Sequence, residues 1–335
     1  MIYPEFPKAG DCIGICAPSA GVGQKEESFD LSMEVLRESG FELCETRSVR
    51  NDDCPSASAK ARGQELNELF ADDDVAAVMS AAGGDYNNEM LPYIDTELLR
   101  THPKWFVGYS DPTFIEILLT TKLDIASIYG VNAGAWDWRP LHLFQENALR
   151  IISGDLIKQT SYDTCCLDGF SEDGYEFDTE VEWRLIHPIS ASESGMLDVR
   201  GRIIGGCTEI IDLSIGTDYE DLKGFAKRYA SDGLIWLFDT FAMDPLMLFN
   251  SMQRMKLMGL FDNAKAVVFG RVFLPGDAAD EDYINQVLRV FDGLDVPVVW
   301  GADIGHTKPS MTFINGAMGH LTLEGVKAEL EMELR

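Results

Sequence analysis

Short apolar runs alternate with longer segments of helical periodicity through the first 130 residues of the chain. Apolar residues recur at helical spacing at 27–39, 59–70 and, in part, 88–99, which predicts helices there. The runs between them predict strands at residues 11–17, 41–45, 75–80, 105–107 and 128–130. Strands that alternate with helices predict an α/β fold with a mostly parallel sheet and ligands at the C-terminal ends of its strands.

The regular alternation stops near residue 138, and the polar stretch from 161 to 182 is typical of a linker. Further along the chain, Asp244 and Pro245 predict the start of a helix. Apolar runs resume at residues 195–206, 234–239, 266–270 and 296–300. We therefore predict an N-terminal α/β domain at 1–150, a linker at 151–190 and a C-terminal α/β domain at 191–335.

The chain is strongly acidic, with 56 acidic and 27 basic side chains and a formal net charge of −29. Such a chain repels nucleic-acid phosphates and anionic membrane surfaces, so we expect neither as a partner. Its seven cysteines show no Cys-x-x-Cys spacing, which favours a reducing compartment. No apolar run approaches the roughly 20 residues of a membrane span, and the N-terminus does not resemble a signal peptide. These features predict a cytoplasmic protein.

The stretch from 105 to 113 predicts a strand, a sharp turn and a helix start, with Ser110 on the turn. A serine in that position exposes its hydroxyl above the sheet edge, next to the unpaired N–H groups of the helix. This arrangement suits a catalytic nucleophile. The same pattern also describes an ordinary serine N-cap.

Two further reactive side chains follow predicted strands in the second half of the chain. Asp239 ends one apolar run, and His306 lies between Gly305 and Thr307 after another. With Ser110 they give a nucleophile, an acid and a base in chain order, as in a serine hydrolase triad. Taken singly, the Asp is also a common turn former and the His a common structural residue.

Gly83 and Gly84 follow the strand predicted at 75–80. A glycine pair there brings backbone close to a substrate carbonyl, and the N–H groups of Gly84 and Asp111 would form an oxyanion hole. A plain turn is the alternative. The sequence contains neither a dinucleotide-binding nor a Walker-type glycine motif, and no His-Glu-x-x-His spacing. We therefore expect no nucleotide cofactor and no metal.

Several segments together resemble one known family, in the order in which they occur there. They are 10–14 with 17–19, 83–84 with 91–95, 108–111 with Thr113, 205–206 with 216–217, and 305–307 with Pro309 and 316–317. The set is similar to the LD-carboxypeptidase family of serine peptidases and spans nearly the whole chain. The resemblance implies a Rossmann-like or flavodoxin-like N-terminal domain that carries the nucleophile. It also implies a C-terminal domain, of a swivelling β/β/α type, that carries the acid and the base.

The triad in this family consists of Ser, Glu and His. Ser110 and His306 match its Ser and His directly, whereas no Glu stands at the position of the acid. In one alignment with the family motif Asp239 stands at the Glu position, and shifting that alignment by one residue would put Phe238 there. We favour Asp239, because a Phe beside the imidazole would leave its tautomer unfixed. Cys207 is a second departure, since many relatives have Asn after the glycine pair.

The resemblance implies a serine carboxypeptidase that hydrolyses an L,D amide bond and releases terminal D-Ala from recycled murein peptides. Gly83 would line the substrate-binding site, and Arg271 or Lys308 would bind the free carboxylate of the substrate. A homodimer is expected because relatives commonly form one.

Two alternatives stay open at this point. One is a resistance peptidase that cleaves peptidyl or aminoacyl nucleotides related to microcin C, with Trp136 or Trp138 as a platform for the base. The other is a non-catalytic binding protein that keeps the fold and has lost the acid.

Overall fold

The computed structural model describes residues 1–167, 176–188, 195–274 and 276–335 of the chain. These residues form two compact units. The first unit comprises Met1–Ile157, Gly216–Glu220 and Thr312–Gly316. The second unit comprises Lys158–Ile215, Asp221–Met311 and Ala317–Arg335. Two short segments from the second half of the chain therefore belong to the first unit.

Strands and helices alternate through much of the chain. The strands are β1 (Cys12–Cys16), β2 (Glu42–Glu45), β3 (Val75–Ser80), β4 (Trp105–Gly108), β5 (Ser127–Tyr129), β6 (Gln159–Thr160), β7 (Thr164–Cys165), β8 (Thr179–Glu180), β9 (Arg184–His187), β10 (Met196–Cys207), β11 (Leu234–Asp239), β12 (Ala264–Gly270), β13 (Val298–Ala302), β14 (Phe313–Asn315), β15 (Met318–Glu324) and β16 (Lys327–Glu333). The α-helices are α1 (Glu26–Glu38), α2 (Ala59–Ala71), α3 (Asn87–Met90), α4 (Thr96–Thr101), α5 (Thr113–Ile117), α6 (Leu143–Ile152), α7 (Thr208–Ser214), α8 (Leu222–Arg228), α9 (Pro245–Leu257) and α10 (Asp280–Phe291). Short 3-10 turns cover Gly23–Lys25, Leu91–Tyr93 and Ala133–Ala135, and a π-helical turn, Leu118–Lys122, continues α5.

The sheet of the first unit has the strand order β14-β5-β4-β3-β1-β2. Its pairs from β2 to β5 are parallel, and β14 adds an antiparallel edge. Helix α2 packs closely on β1 because a glycine faces it: a Cβ on Gly14 would lie 2.8 Å from Leu69 Cδ2. The carboxyl ends of β3 and β4 carry the segments that contain Gly83 and Ser110.

The sheet of the second unit has the order β6-β16-β15-β10-β11-β12-β13-β9. Strands β10 to β13 are parallel, and the outer pairs are antiparallel. Strands β6 and β9 fall within residues 151–190, the segment expected to be a linker. The polar stretch on which that expectation rested, 161–182, contains the short strands β7 and β8, which pair with each other. Strand β11 ends at Asp239, and the loop after β13 carries His306.

The predicted α/β fold class is confirmed by these two sheets and by the helices that connect their parallel strands. The C-terminal strands β14, β15 and β16 complete the architecture, and β14 and β16 were not predicted. Across the described ranges, no helix combines the length and apolar character needed to cross a membrane.

Candidate active site

Ser110 lies on a strained turn between β4 and α5 in the first unit. Its φ angle is 70°, in the left-handed region that non-glycine residues rarely adopt. The turn is closed by Thr113, whose N–H and Oγ1 donate to the Ser110 carbonyl at 2.9 and 2.6 Å. Backbone strain of this kind costs about 1–3 kcal/mol and is typical of a nucleophile on a strand-to-helix elbow.

Neighbouring side chains at the same sheet edge hold this turn in place. The Ser110 N–H donates to Tyr129 Oη at 3.3 Å, and the buried Tyr129 ring stacks on Phe313 at 4.9 Å. The backbone N–H and carbonyl of Tyr109 both bond to the Asn132 amide, at 3.1 and 3.3 Å. The position of Ser110 is therefore fixed from β5 and the segment that follows it.

Of the two neighbouring glycines, Gly83 lies beside Ser110, and Gly84 carries one of the two N–H groups predicted to form the oxyanion hole. A Cβ on Gly83 would lie 3.2 Å from both Cβ and Oγ of Ser110. Gly84 has φ of 141°, and a Cβ there would lie 2.3 Å from Ser19 Oγ. A larger residue at 84 is therefore excluded by both conformation and space.

The Asp111 carboxylate ties the serine turn to the segment that follows the glycine pair. Its Oδ2 accepts from the Asn87 N–H at 2.9 Å, and Ser19 Oγ accepts from the Tyr86 N–H at 3.0 Å. Burial raises the pKa of Asp111, while hydrogen bonds from Ser19, Asn87 and Tyr86 lower it. The sequence had suggested only the backbone N–H of Asp111, and missed this side-chain anchor.

Asp239 and His306 form a carboxylate–imidazole pair in the second unit. His306 Nδ1 lies 2.9 Å from Asp239 Oδ1 and 2.8 Å from Oδ2, and the His306 N–H donates to Oδ1 at 3.2 Å. Asp239 is fully buried. Gly305 makes room for it, because a Cβ at Gly305 would lie 2.0 Å from Asp239 Oδ1.

The two registers considered for the acid place different side chains beside the imidazole. The structure gives this contact to Asp239, whereas Phe238 points into the core and stacks on Trp236 at 5.5 Å and Phe269 at 5.3 Å. When Nδ1 donates to a carboxylate, the neutral imidazole carries its lone pair on Nε2, as a general base requires.

Two phenylalanines enclose His306. The centroid of the imidazole lies 4.6 Å from the Phe241 ring and 5.9 Å from the Phe273 ring. Glu209 fixes the loop that carries Phe241, because its Oε1 accepts from the N–H groups of Phe241 at 3.0 Å and Ala242 at 2.7 Å. Glu209 was not predicted from the sequence, where its only signal is an acid in the first turn of a helix after the 205–206 glycines.

Cys207 completes this support. Its Sγ lies 3.3 Å from Glu209 Oε2 and acts as the donor. Burial, followed by the charges of Glu209 and Asp239, raises the pKa of the Cys207 thiol well above its usual range. The thiol therefore keeps its proton and serves as a structural donor rather than a nucleophile.

Arg271 is committed to groups inside the second unit. Its guanidinium donates to Asp303 Oδ1 at 2.6 Å, Thr307 Oγ1 at 3.1 Å and the Pro309 carbonyl at 2.8 Å. Each guanidinium nitrogen already has an internal acceptor, which argues against the expectation that Arg271 binds a substrate carboxylate. Arg271 instead braces the loop on both sides of His306.

The Asp303 carboxylate joins several groups around this loop. Besides Arg271, its carboxylate accepts from Trp183 Nε1 at 2.9 Å and from the Tyr162 N–H at 3.1 Å. Asp303 is fully buried, and so a charge left there without its partner would be costly.

We expect Arg271→Met to lower kcat and to reduce the free energy of unfolding by about 3–5 kcal/mol, because Asp303 then stays buried without its counter-ion. Arg202→Met is a control: it breaks another ion pair of the second unit, in which the buried Arg202 contacts the partly exposed Asp232 at 2.6 Å. It should lower stability and leave kcat near that of the wild type. Urea unfolding and steady-state kinetics of both variants test this. An equal loss of kcat in the two would contradict the claim that Arg271 positions the loop that carries His306.

Lys308 is the remaining cation of the two that were predicted to bind substrate. It is half-buried, and burial lowers its pKa to about 8, with the Arg271 charge acting in the same direction and Asp239 opposing it. An amine with this pKa is charged at neutral pH and loses its charge just above it.

The tryptophans predicted as a base-stacking platform are not equivalent. Trp136 is fully buried, so it offers no face to a ligand and that expectation is corrected. Trp138 is half-buried and makes edge contacts with Phe144 at 5.4 Å and His142 at 6.1 Å. In the described part of the chain, no group of three or more His, Cys, Asp or Glu side chains is arranged to hold a metal.

Comparisons with known proteins agree on one family. Sequence profiles of the LD-carboxypeptidase N-terminal and C-terminal domains match residues 13–130 and 200–321. The microcin C7 self-immunity protein MccF of Escherichia coli is 27% identical over 314 residues, covering 90% of this chain and 88% of the relative. The probable murein peptide carboxypeptidase of Bacillus subtilis (strain 168) is 24% identical over 343 residues, covering 98% and 94%.

The solved structure of MccF in complex with aspartyl sulfamoyl adenosine has the same fold. Its TM-score is 0.81 at 22% sequence identity, and the match covers 100% of this chain and 99% of that chain. The two family profiles together match well over half of the residues, one profile in each half of the chain. The chain therefore belongs to the LD-carboxypeptidase family of peptidases.

Proposed function

We propose that this protein is a serine carboxypeptidase that hydrolyses the L,D amide bond of murein-type peptides and releases terminal D-Ala. The observation that carries the proposal is the buried Asp239 carboxylate on His306 Nδ1, at 2.8–2.9 Å. The strained Ser110 turn beside Gly83 supports it independently. The name of the Bacillus subtilis relative supports the substrate class.

The proposed reaction begins with attack of Ser110 Oγ on the scissile carbonyl carbon. His306 Nε2 accepts the hydroxyl proton, and Asp239 stabilises the imidazolium that forms. The N–H groups of Gly84 and Asp111 donate to the oxyanion. His306 then protonates the leaving D-Ala amine, the C–N bond breaks, and water activated by the same imidazole hydrolyses the acyl-enzyme.

The experiment that tests the function is incubation of the purified protein with a murein tetrapeptide, followed by chromatographic measurement of free D-Ala. The matched control is the tetrapeptide with terminal L-Ala, which a site shaped for an L,D bond should turn over far more slowly. Release of L-Ala at the same rate, or release of neither, would contradict the proposed substrate.

Lys308 is the cation that we propose for the free carboxylate of the substrate. Since its pKa is about 8, kcat/KM should fall as the pH rises above 8, by up to about tenfold per pH unit. Lys308→Arg keeps its charge and should remove this alkaline decline, whereas Lys308→Met should raise KM about 10- to 100-fold at pH 7. Kinetic pH profiles of the three proteins test the role, and an alkaline decline that persists in Lys308→Arg would exclude it.

The similarity to MccF motivates a second candidate, a peptidase acting on aminoacyl nucleotides. The burial of Trp136 argues against the aromatic platform first considered for it. Measuring turnover of aspartyl sulfamoyl adenosine beside the murein tetrapeptide separates the two functions. A non-catalytic binding protein is a weaker candidate, because the acid that it would lack contacts His306.

A further inference from the structure

Away from the residues discussed above, two cysteines are in contact on the sheet of the first unit. Cys12 begins β1, and Cys44 lies on the neighbouring parallel strand β2, opposite Gly14. Their Sγ atoms are 2.8 Å apart. We propose that Cys12 and Cys44 form a thiol–disulfide exchange site, at which a small disulfide such as oxidised glutathione converts the two thiols into an intramolecular disulfide. This inference does not depend on the proposed hydrolysis.

The strand register explains why the two sulfurs meet. Cys12 is opposite Glu42, and side chains two residues apart on a strand share a face, so Cys44 lies on the same face as Cys12. A disulfide bond is about 2.05 Å long, so the sulfurs need only a small approach and no change of register. Both residues are partly exposed, which lets a small reagent reach them.

The other cysteines lack this combination of contact and access. Four are buried, namely Cys16, Cys165, Cys166 and Cys207. Cys54 is exposed, and no other cysteine of the described residues is bonded to it. The strand pair is therefore the place where exposure and sulfur–sulfur contact coincide.

The hydrogen bond between the thiols assigns their roles. Cys12 Sγ donates to Cys44 Sγ, and burial together with this bond raises the pKa of Cys12 to about 12. The carboxylates of Asp72 and Glu42 act in the same direction. The Lys104 ammonium is within electrostatic reach of both sulfurs. Cys12 therefore holds its proton more firmly than an ordinary thiol, and we assign the first attack to Cys44, the acceptor of the hydrogen bond.

The exchange proceeds in two balanced steps. The Cys44 thiolate attacks one sulfur of oxidised glutathione, and the S–S bond of glutathione breaks, which gives a mixed disulfide on Cys44 and one glutathione thiolate. The glutathione thiolate released in the first step takes the proton of Cys12. The Cys12 thiolate then attacks the Cys44 sulfur, and the second glutathione leaves as a thiolate. The protein loses two electrons, which glutathione disulfide accepts.

The disulfide would tie the edge strand β2 to β1 and close a loop that contains α1. A cross-link of this length removes conformational freedom from the unfolded chain. The oxidised protein should therefore have a Tm several degrees above that of the reduced protein, a difference that dithiothreitol abolishes.

The test uses the full chain with Cys54→Ser, which removes the exposed cysteine and leaves six thiols. After treatment with oxidised glutathione, thiol titration in denaturant should find four, and mass spectrometry of a non-reduced digest should join the peptides of Cys12 and Cys44. In the same background, Cys12→Ser should accumulate one glutathione adduct on Cys44, whereas Cys44→Ser should leave Cys12 unmodified. Retention of all six thiols, or a disulfide mapped between other residues, would overturn the proposal.

Discussion

Replacing Ser110 by alanine should lower kcat for tetrapeptide hydrolysis by about 10⁴- to 10⁶-fold, because the proposed mechanism forms the acyl-enzyme on its hydroxyl oxygen. KM should change little, since the backbone of the turn and of Gly83 stays in place. The fold should persist as well: alanine at φ of 70° carries a strain similar to that of serine. Steady-state kinetics with a sensitive D-Ala assay, together with Tm measurements, check both expectations.

The matched control is Ser28→Ala. Ser28 lies on α1 and its hydroxyl bonds to Asp137 at 2.6 Å, so the variant loses a hydroxyl and one hydrogen bond without touching the Ser110 turn. Its kcat should stay within about twofold of the wild type. A fluorophosphonate should label the wild type and Ser28→Ala but not Ser110→Ala. Equal rates of D-Ala release in the two alanine variants would refute the role of Ser110.

Ser110→Gly distinguishes the effect of backbone strain at residue 110 from the effect of losing the hydroxyl group. Glycine adopts a φ of 70° without steric cost, so this variant should be at least as stable as Ser110→Ala and equally inactive. If strain is stored at the reacting residue, glycine relieves it and alanine does not. Greater stability of Ser110→Gly than of Ser110→Ala would be the result of that relief.

The parallel strands of both units could be predicted because buried parallel strands form continuous apolar runs. The runs at 75–80 and 234–239 coincide with β3 and β11. The position of Ser110 followed from the same pattern, since a glycine and a serine directly after a buried strand lie at its carboxyl end. Local sequence was sufficient wherever the relevant residues are neighbours in the chain.

Partnerships between distant residues could not be predicted in this way. Arg271 ends up on Asp303, 32 positions away, and a cation at a strand end carries no signal that separates such a pair from a substrate contact. Strand β14 pairs with β5 of the first unit although it lies near the end of the chain. A pattern of apolar residues predicts a strand, but it does not name the strand's partner.

The acid of the proposed triad was the residue that the sequence left open, and the reason is specific to β11. A one-residue slip in the match to the family's Glu position made Phe238 the alternative to Asp239, and burial does not distinguish the two because all six residues of β11 are buried. Pairing with β10 sets Cys207 opposite Asp239, which brings the carboxylate to the strand end. The contact with His306 then depends on Gly305, whose lack of a side chain leaves room for the carboxylate.

Asp239→Asn should therefore lower kcat by about 10⁴-fold while preserving the packing of the strand. The amide keeps the size of the carboxylate, but it cannot stabilise the imidazolium, and its NH₂ group favours the tautomer with the proton on Nε2. KM should remain near the wild-type value. Steady-state kinetics test this, and the proton NMR signal of His306 Nδ1–H, expected at low field in the wild type, should be lost or shifted upfield in the variant.

Phe238→Leu is the control for the alternative register. It removes ring contacts with Trp236 and Phe269 from the core, so it should reduce the free energy of unfolding by about 1–3 kcal/mol and leave kcat within a few-fold. If Phe238→Leu abolished activity in a folded protein and Asp239→Asn did not, the acid would have been assigned to the wrong residue.

Asp239→Glu tests how tightly the site is built around the shorter acid. The carboxylate of Asp239 already lies against Gly305, at a place where a single added carbon would be 2.0 Å from its oxygen. The extra methylene of glutamate must displace the carboxylate or the 305–306 backbone, so activity should fall by about 10- to 100-fold even though the acid is retained. Because Asp239→Asn keeps the size and loses the charge, whereas Asp239→Glu keeps the charge and changes the size, the two variants measure charge and fit separately. Full activity in Asp239→Glu would mean that this loop adapts to either acid and that Gly305 does not set the length of the side chain.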